Sequence, residues 1–195
     1  MPDLDYQEIV ERLRALVIEP YKSLAEVGFD GPWVTPYQII SKSSEGPVLV
    51  ALHWLDESSI LRERPTLQEL GYLPNIRFNA VIDAALARQG LSRSDIYVTQ
   101  TFHLVPRTRS ERISQAAIRR SFDEVTRFEL QGRKVIALGD IAAGECERHH
   151  IEHIAVCHPS RRGHTNKKNA SEIADALAAL GFRGTVKDTG TQCDQ

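Results

Sequence analysis

The 195-residue chain has no apolar run near the roughly 20 residues that a membrane-spanning helix needs. Its three cysteines, odd in number and irregularly spaced, fit a reducing compartment better than a disulfide framework. An excess of charge of one sign is missing as well. Lys and Arg total 24 against 26 Asp and Glu, a formal net charge of −2, which argues against a generally nucleic-acid-coating protein but not against a local basic face. The chain has neither an internal repeat nor a low-complexity segment. The opening MPDLDYQEIVERL is acidic and amphipathic, unlike a secretory signal, so a cytoplasmic protein with no membrane partner is expected. What remains is an ordinary globular composition, 42% hydrophobic and 26% charged, in a chain long enough for one domain with a real core.

Residues 4–19 place Leu4, Ile9, Leu13, Leu16 and Val17 near helical spacing, and Pro20 is expected to end that helix. Up to residue 45 the chain reads as irregular, wrapping over the core, with a short strand at 38–41. Val48–Leu52 is the clearest buried strand. A helix follows the Gly71-Tyr-Leu-Pro-Asn75 loop, capped by Asn75 or Asn79, running to about Gln89 and closed by Gly90. Ile96–Thr99 reads as a second strand, Ser110–Glu129 as a long amphipathic helix, and Lys134–Leu138 as a third strand leading into a helix at Gly139. Ile154–Cys157 has the size and flanks of a buried parallel strand; Ser171–Leu180 reads as the last helix, and 189–195 as a flexible tail. Strands separated by helices predict a three-layer α/β/α domain with a central, mainly parallel four-stranded sheet.

Three of these strands end in polar and aromatic clusters, at 53–59, 100–103 and 158–162. In a parallel sheet all three lie on one edge, where open α/β sheets hold ligands. The stretch from 161 to 168 is basic, with Arg161, Arg162, Lys167 and Lys168 and no acid. Residues 107–120 add Arg107, Arg109, Arg112, Arg119 and Arg120 against Glu111 alone. Together they predict a phosphate-binding face, although part of each is the solvated side of a loop or helix. Cys146, His149, His150, His153 and Cys157 invite a metal reading. Their spacing matches no established zinc pattern, however, and neither a metal nor another cofactor is expected.

The order of these segments resembles the uracil-DNA glycosylase superfamily over roughly residues 46–180. Val156-Cys157-His158-Pro159-Ser160 matches the family's last motif, Val135–Gly139 the strand before it, and Tyr97-Val-Thr99-Gln100 its middle motif. The Gly71–Asn75 loop looks like that of some small bacterial members. The resemblance implies cleavage of the N-glycosidic bond of a flipped, damaged base in DNA, without a cofactor. Some members hold an iron–sulfur cluster through four cysteines, which three scattered ones cannot supply. It assigns stabilisation of the leaving base to His158 and reading of the base edge to Gln100. Ser160, Arg161, Arg162, Lys167 and Lys168 would contact DNA, and Trp54, Tyr72 and Phe102 are candidates to stack on the base. Two departures stand out. Gln100 occupies the place of an Asn, and the first loop, Leu52-His-Trp-Leu-Asp-Glu57, has no carboxylate at the family's usual position. Asp56 is the preferred sugar-facing group, with His53 or Glu57 as substitutes. If none serves, the chain is a nucleic-acid-binding module that has lost hydrolysis, and a nucleoside hydrolase is a further alternative. A monomer is assumed.

Overall fold

A computed structural model describes residues 5–184; the expected tail at 189–195, like Leu4, lies outside them. Four strands, β1 (Val48–Ala51), β2 (Tyr97–Gln100), β3 (Val135–Leu138) and β4 (His153–Val156), form one sheet in the order β2-β1-β3-β4. Every pairing is parallel, with Ala51 opposite Gln100 and Leu138 opposite Val156. All four carboxyl ends therefore open on the same edge.

Alternation along the strands divides the core into two layers. Leu49, Ala51, Val98, Ile136 and Leu138 face α4 (Arg77–Arg88) and α8 (Asn166–Ala179). Val48, Val50, Val135 and Ala137 face the other side, with Phe122, Leu130 and α7 (Asp140–Arg148). This is the three-layer α/β/α arrangement that the strand and helix order predicts. α1 (Tyr6–Ala15) closes a third cluster around Phe102, Ile118 and Val125. No helix among the described residues is long and apolar enough to cross a membrane.

Several local expectations are corrected. α1 ends at Ala15, because Leu16 turns extended and Val17 is left exposed; the apolar spacing past 15 comes from loop residues that dip into the core. The short strand expected at 38–41 is instead a 3₁₀ turn over Pro36–Ile39, in which the Gln38 side chain points inward and bonds Glu129 and Tyr6. α4 starts after Ile76 with no side-chain cap, and Asn79 instead donates to the Leu73 carbonyl. Residues 110–113 are not helical. α5 (Gln115–Ser121) is capped by Ser114 and continues through a π-helical turn, Phe122–Thr126, into α6 (Arg127–Glu129). The stretch after Asp56, whose serines read as loop, instead forms two helices, α2 (Glu57–Arg62) and α3 (Arg64–Leu70). β4 is not buried: it is an end strand whose residues are half-buried or exposed, whereas β2 at the other end is covered by residues 41–43, which bond Ile96 and Val98. α8 begins five residues earlier than expected, capped by Thr165, which moves Lys167 and Lys168 from the loop into a helical first turn.

Candidate active site

At the carboxyl edge of the sheet a pocket of about 250 Å³ opens between the end of β1 and the end of β4. Its size is just under the roughly 300–1,000 Å³ of pockets that enclose drug-sized ligands, which suits a single heterocycle. From the sequence-based candidates it gathers His53, Trp54, Asp56, His158 and Ser160. It adds Tyr37, Phe78 and Arg109, which were not placed there from the sequence.

The two arms of the pocket do not leave adjacent strands. β3 runs between β1 and β4 and ends in Gly139, whose φ is +101°. A Cβ on Gly139 would stand 3.1 Å from the His158 Cβ, in a backbone conformation that side chains rarely adopt, so glycine lets His158 pack against the end of β3 without displacement.

His158 has a defined tautomer. The Ser160 backbone N–H donates to its Nδ1 at 3.1 Å, and burial holds its pKa below the ordinary histidine value. A neutral ring that accepts at Nδ1 carries its proton on Nε2, leaving that N–H as a donor. The ring of Phe78 lies 5.4 Å away at 42°, close enough to form an aromatic wall beside it. Phe78 is the second residue of α4, and its place follows from the packing of α4 against α8, which no short motif encodes.

His53 and Asp56 differ in chemistry. Burial, with further depression from His158 and Arg109 against an opposing pull from Asp56, brings the His53 pKa down to about 4, so its imidazole is neutral at pH 7. His53 Nδ1 is buried without a hydrogen-bond partner, which marks it as a position for water or ligand. Asp56 is the N-cap of α2. Its carboxylate accepts from Ser59 N at 3.1 Å, Ser59 Oγ at 2.8 Å and Ser58 Oγ at 2.6 Å. Burial raises its pKa but these bonds outweigh it, so the group stays ionised and is a poor base. Trp54 also lines the pocket, its Nε1 donating to the Gly71 carbonyl at 2.9 Å and its ring 5.1 Å from Phe29.

Other candidates stand elsewhere. Gln100 is buried at the end of β2, the far outer strand, beside the Thr35 hydroxyl, and does not line the pocket. Phe102 is fully buried, edge-on to Tyr21 at 4.9 Å, and Tyr72 packs against Arg93. Arg161, Arg162, Lys167 and Lys168 are exposed beyond His158, and so are Arg107, Arg109 and Arg112. Arg109 and Ser160 share the pocket lining, so the two basic segments meet at its mouth. From there a groove of about 920 Å³ runs along Ser110–Gln115 to Ile141. The His and Cys residues around α7 do not converge. His149 bonds Asp123 and stacks on Phe122, His153 bonds the Ile151 carbonyl, and Cys146 is buried.

The family model described as the Uracil DNA glycosylase superfamily matches residues 64–181, more than half of the chain. That span contains Phe78, Arg109 and His158 and begins after the loop bearing His53 and Asp56. No curated protein matches the chain.

Proposed function

Because the chain belongs to the uracil DNA glycosylase superfamily, we propose that it hydrolyses the N-glycosidic bond of a deaminated base flipped out of DNA, as a base-excision repair enzyme. One observation carries this reading: a base-sized pocket presents a neutral His158 Nε2–H beside an aromatic ring, with two basic segments at its mouth.

Bond cleavage leaves negative charge on the base and positive charge on the sugar. The His158 Nε2–H donates to the base oxygen as that charge develops, and a preorganised donor of this kind is worth about 3 kcal/mol in the transition state. Asp56, held ionised by its serines, faces the sugar cation as a fixed charge. His53 supplies the lone pair that orients the attacking water. Phe78 stacks on the base and Trp54 lines the pocket beside it, while Gln100, Phe102 and Tyr72 stand outside the lining and do not touch its occupant. Arg109, Arg161 and Arg162 hold phosphates flanking the flipped nucleotide, with Lys167, Lys168 and Ser160 beyond them, and the 920 Å³ groove takes the adjoining strand.

The test uses oligonucleotides containing uracil, hypoxanthine, xanthine or only undamaged bases, with alkaline scission of abasic sites. Cleavage at one deaminated base, lost by about two orders of magnitude in His158→Ala, is expected. DNA retention without cleavage would favour the binding module, a reading that the full engagement of Asp56 by its own helix keeps alive. Activity on free nucleosides alone would favour a nucleoside hydrolase, for which the exposed arginines have no use.

A further inference from the structure

Behind the His158 loop, where β4 meets α8, three side chains of different elements converge. The ligand atoms of Cys157, His164 and Glu172 all lie within 4.8 Å of one another, each on a half-buried residue. We propose that these three residues bind a zinc-type divalent ion at the root of the loop that carries His158 and Arg161. The site is independent of the glycosylase reading.

Two of the three side chains are already oriented from behind. Asn169 Nδ2 donates to the Pro159 carbonyl at 2.8 Å, which fixes the amide so that its Oδ1 accepts from His164 Nδ1 at 3.1 Å. The proton of His164 therefore resides on Nδ1, and Nε2 keeps its lone pair. Metal-binding histidines are usually held in this way through their second nitrogen. Glu172 accepts the Cys157 backbone N–H on Oε2 at 3.3 Å, leaving Oε1 free. Arg77 bonds the His164 carbonyl and, at 2.8 Å, Asn166 Oδ1, so the loop is pinned on its far side as well.

The donor set selects the ion. Thiolate, imidazole and carboxylate suit zinc and its neighbours and not magnesium or calcium, which take oxygen ligands. Bond lengths of about 2.0–2.3 Å in a tetrahedron place donors roughly 3.3–3.8 Å apart, so the three need to close by about 1 Å. Thiolate and carboxylate together neutralise a divalent charge, and water completes the fourth position. Loading converts the Cys157 thiol to a thiolate and releases one proton to solvent. A groove of about 470 Å³ along β4 and α8 reaches Cys157 and Glu172 and provides the way in.

A competitor is present: Arg161 Nη1 lies 3.3 Å from Cys157 Sγ. The guanidinium and a divalent ion are both cations drawn to one sulfur, so loading repels Arg161 and favours its turning out toward solvent. The ion thus doubles as a brace for the loop and a release for its arginine.

The experiment titrates chelator-stripped, full-length protein with Co2+, reading the thiolate-to-cobalt charge-transfer band, and then with Zn2+ in competition with a chromophoric chelator. One equivalent is expected to bind with a tetrahedral cobalt spectrum. Cys157→Ser abolishes the thiolate band, and Glu172→Gln weakens Zn2+ by about 10-fold or more. Cys146→Ser and Cys193→Ser leave both unchanged. Arg161→Ala tightens binding, a gain that a misfolded variant cannot produce. The proposal is overturned by the absence of a thiolate band in the parent, by its survival in Cys157→Ser, by its loss in Cys193→Ser, or by an Arg161→Ala variant that binds no tighter.

Discussion

Asp56 is given two duties, helix cap and fixed charge, and substitutions separate them. In Asp56→Ala the Ser59 N–H loses its acceptor, while the Ser58 and Ser59 hydroxyls lie near enough to the surface to turn toward water. The cost is therefore that of a lost N-cap, about 1–2 kcal/mol, or a fall in Tm of roughly 2–8 °C for a chain of this size. Asparagine caps as well as aspartate does, so Asp56→Asn is expected to melt within about 1 °C of the parent. Its effect on rate is different. A carboxylate in the wall of so small a pocket meets a sugar cation at roughly 5–6 Å, which at an effective dielectric constant of 20 is worth about 3 kcal/mol. Losing that charge slows bond cleavage by about 10²-fold. The assay pairs a thermal melt with single-turnover base release from the preferred oligonucleotide under excess enzyme, so that binding and product release do not intrude. Unimpaired single-turnover release by Asp56→Asn refutes the electrostatic role and leaves Asp56 a cap alone. A large Tm loss in the same variant refutes the cap.

Two further outcomes follow from the fold. Glu129 is buried and accepts from Gln38, Tyr97 and Thr99, yet burial outweighs these bonds and pushes its pKa up to about 7; His103, 3.7 Å away, is held neutral by burial, so the two are not an ion pair at pH 7. A raised carboxyl pKa contributes stability that is complete below about 4.5 and lost as pH rises through 7. In urea unfolding the stability of Glu129→Gln relative to the parent should therefore improve by about 2–3 kcal/mol between pH 5 and pH 8, and parallel pH curves would contradict this. Gly71 has φ +73°, and a Cβ there would lie 1.8 Å from the Pro36 carbonyl. Gly71→Ala combines that clash with a left-handed conformation costing about 1–2 kcal/mol, so Tm should drop by several degrees; an unchanged melt would show that the loop relaxes freely.

Chain order carried much of the fold, for physical reasons that differ between elements. Val48–Ala51 and Val135–Leu138 are interior strands, apolar on both faces, and their runs announce them. β4 has an equally apolar run but lies at an end of the sheet, and four residues hold no record of whether a distant segment covers that edge, as residues 41–43 cover β2 at the other end. His158 was legible because Pro159 and the cations beyond it break the strand sharply. Phe78 and Arg109 were not: one sits in an ordinary helical turn, the other in an arginine-rich loop, and both reach the pocket through tertiary packing. Gln100 shows the reverse, a polar strand end that reads as a ligand contact and lies under Thr35 on the far outer strand. Lys167 and Lys168 read as loop because lysines reveal nothing of the Thr165 cap that begins α8 two residues earlier.

The Gly139 end of β3 makes the sheet itself a caliper. Strands in a sheet sit about 4.8 Å apart, so the jaws ending in His53 and His158, two strands apart, are set roughly 9.6 Å from backbone to backbone. Loop remodelling leaves that span alone, since it belongs to the hydrogen-bonded ladder beneath. A change of preferred ring size must therefore come from side-chain exchange on the jaws, or from filling the bare notch at Gly139, and the same framework can be regauged without being rebuilt.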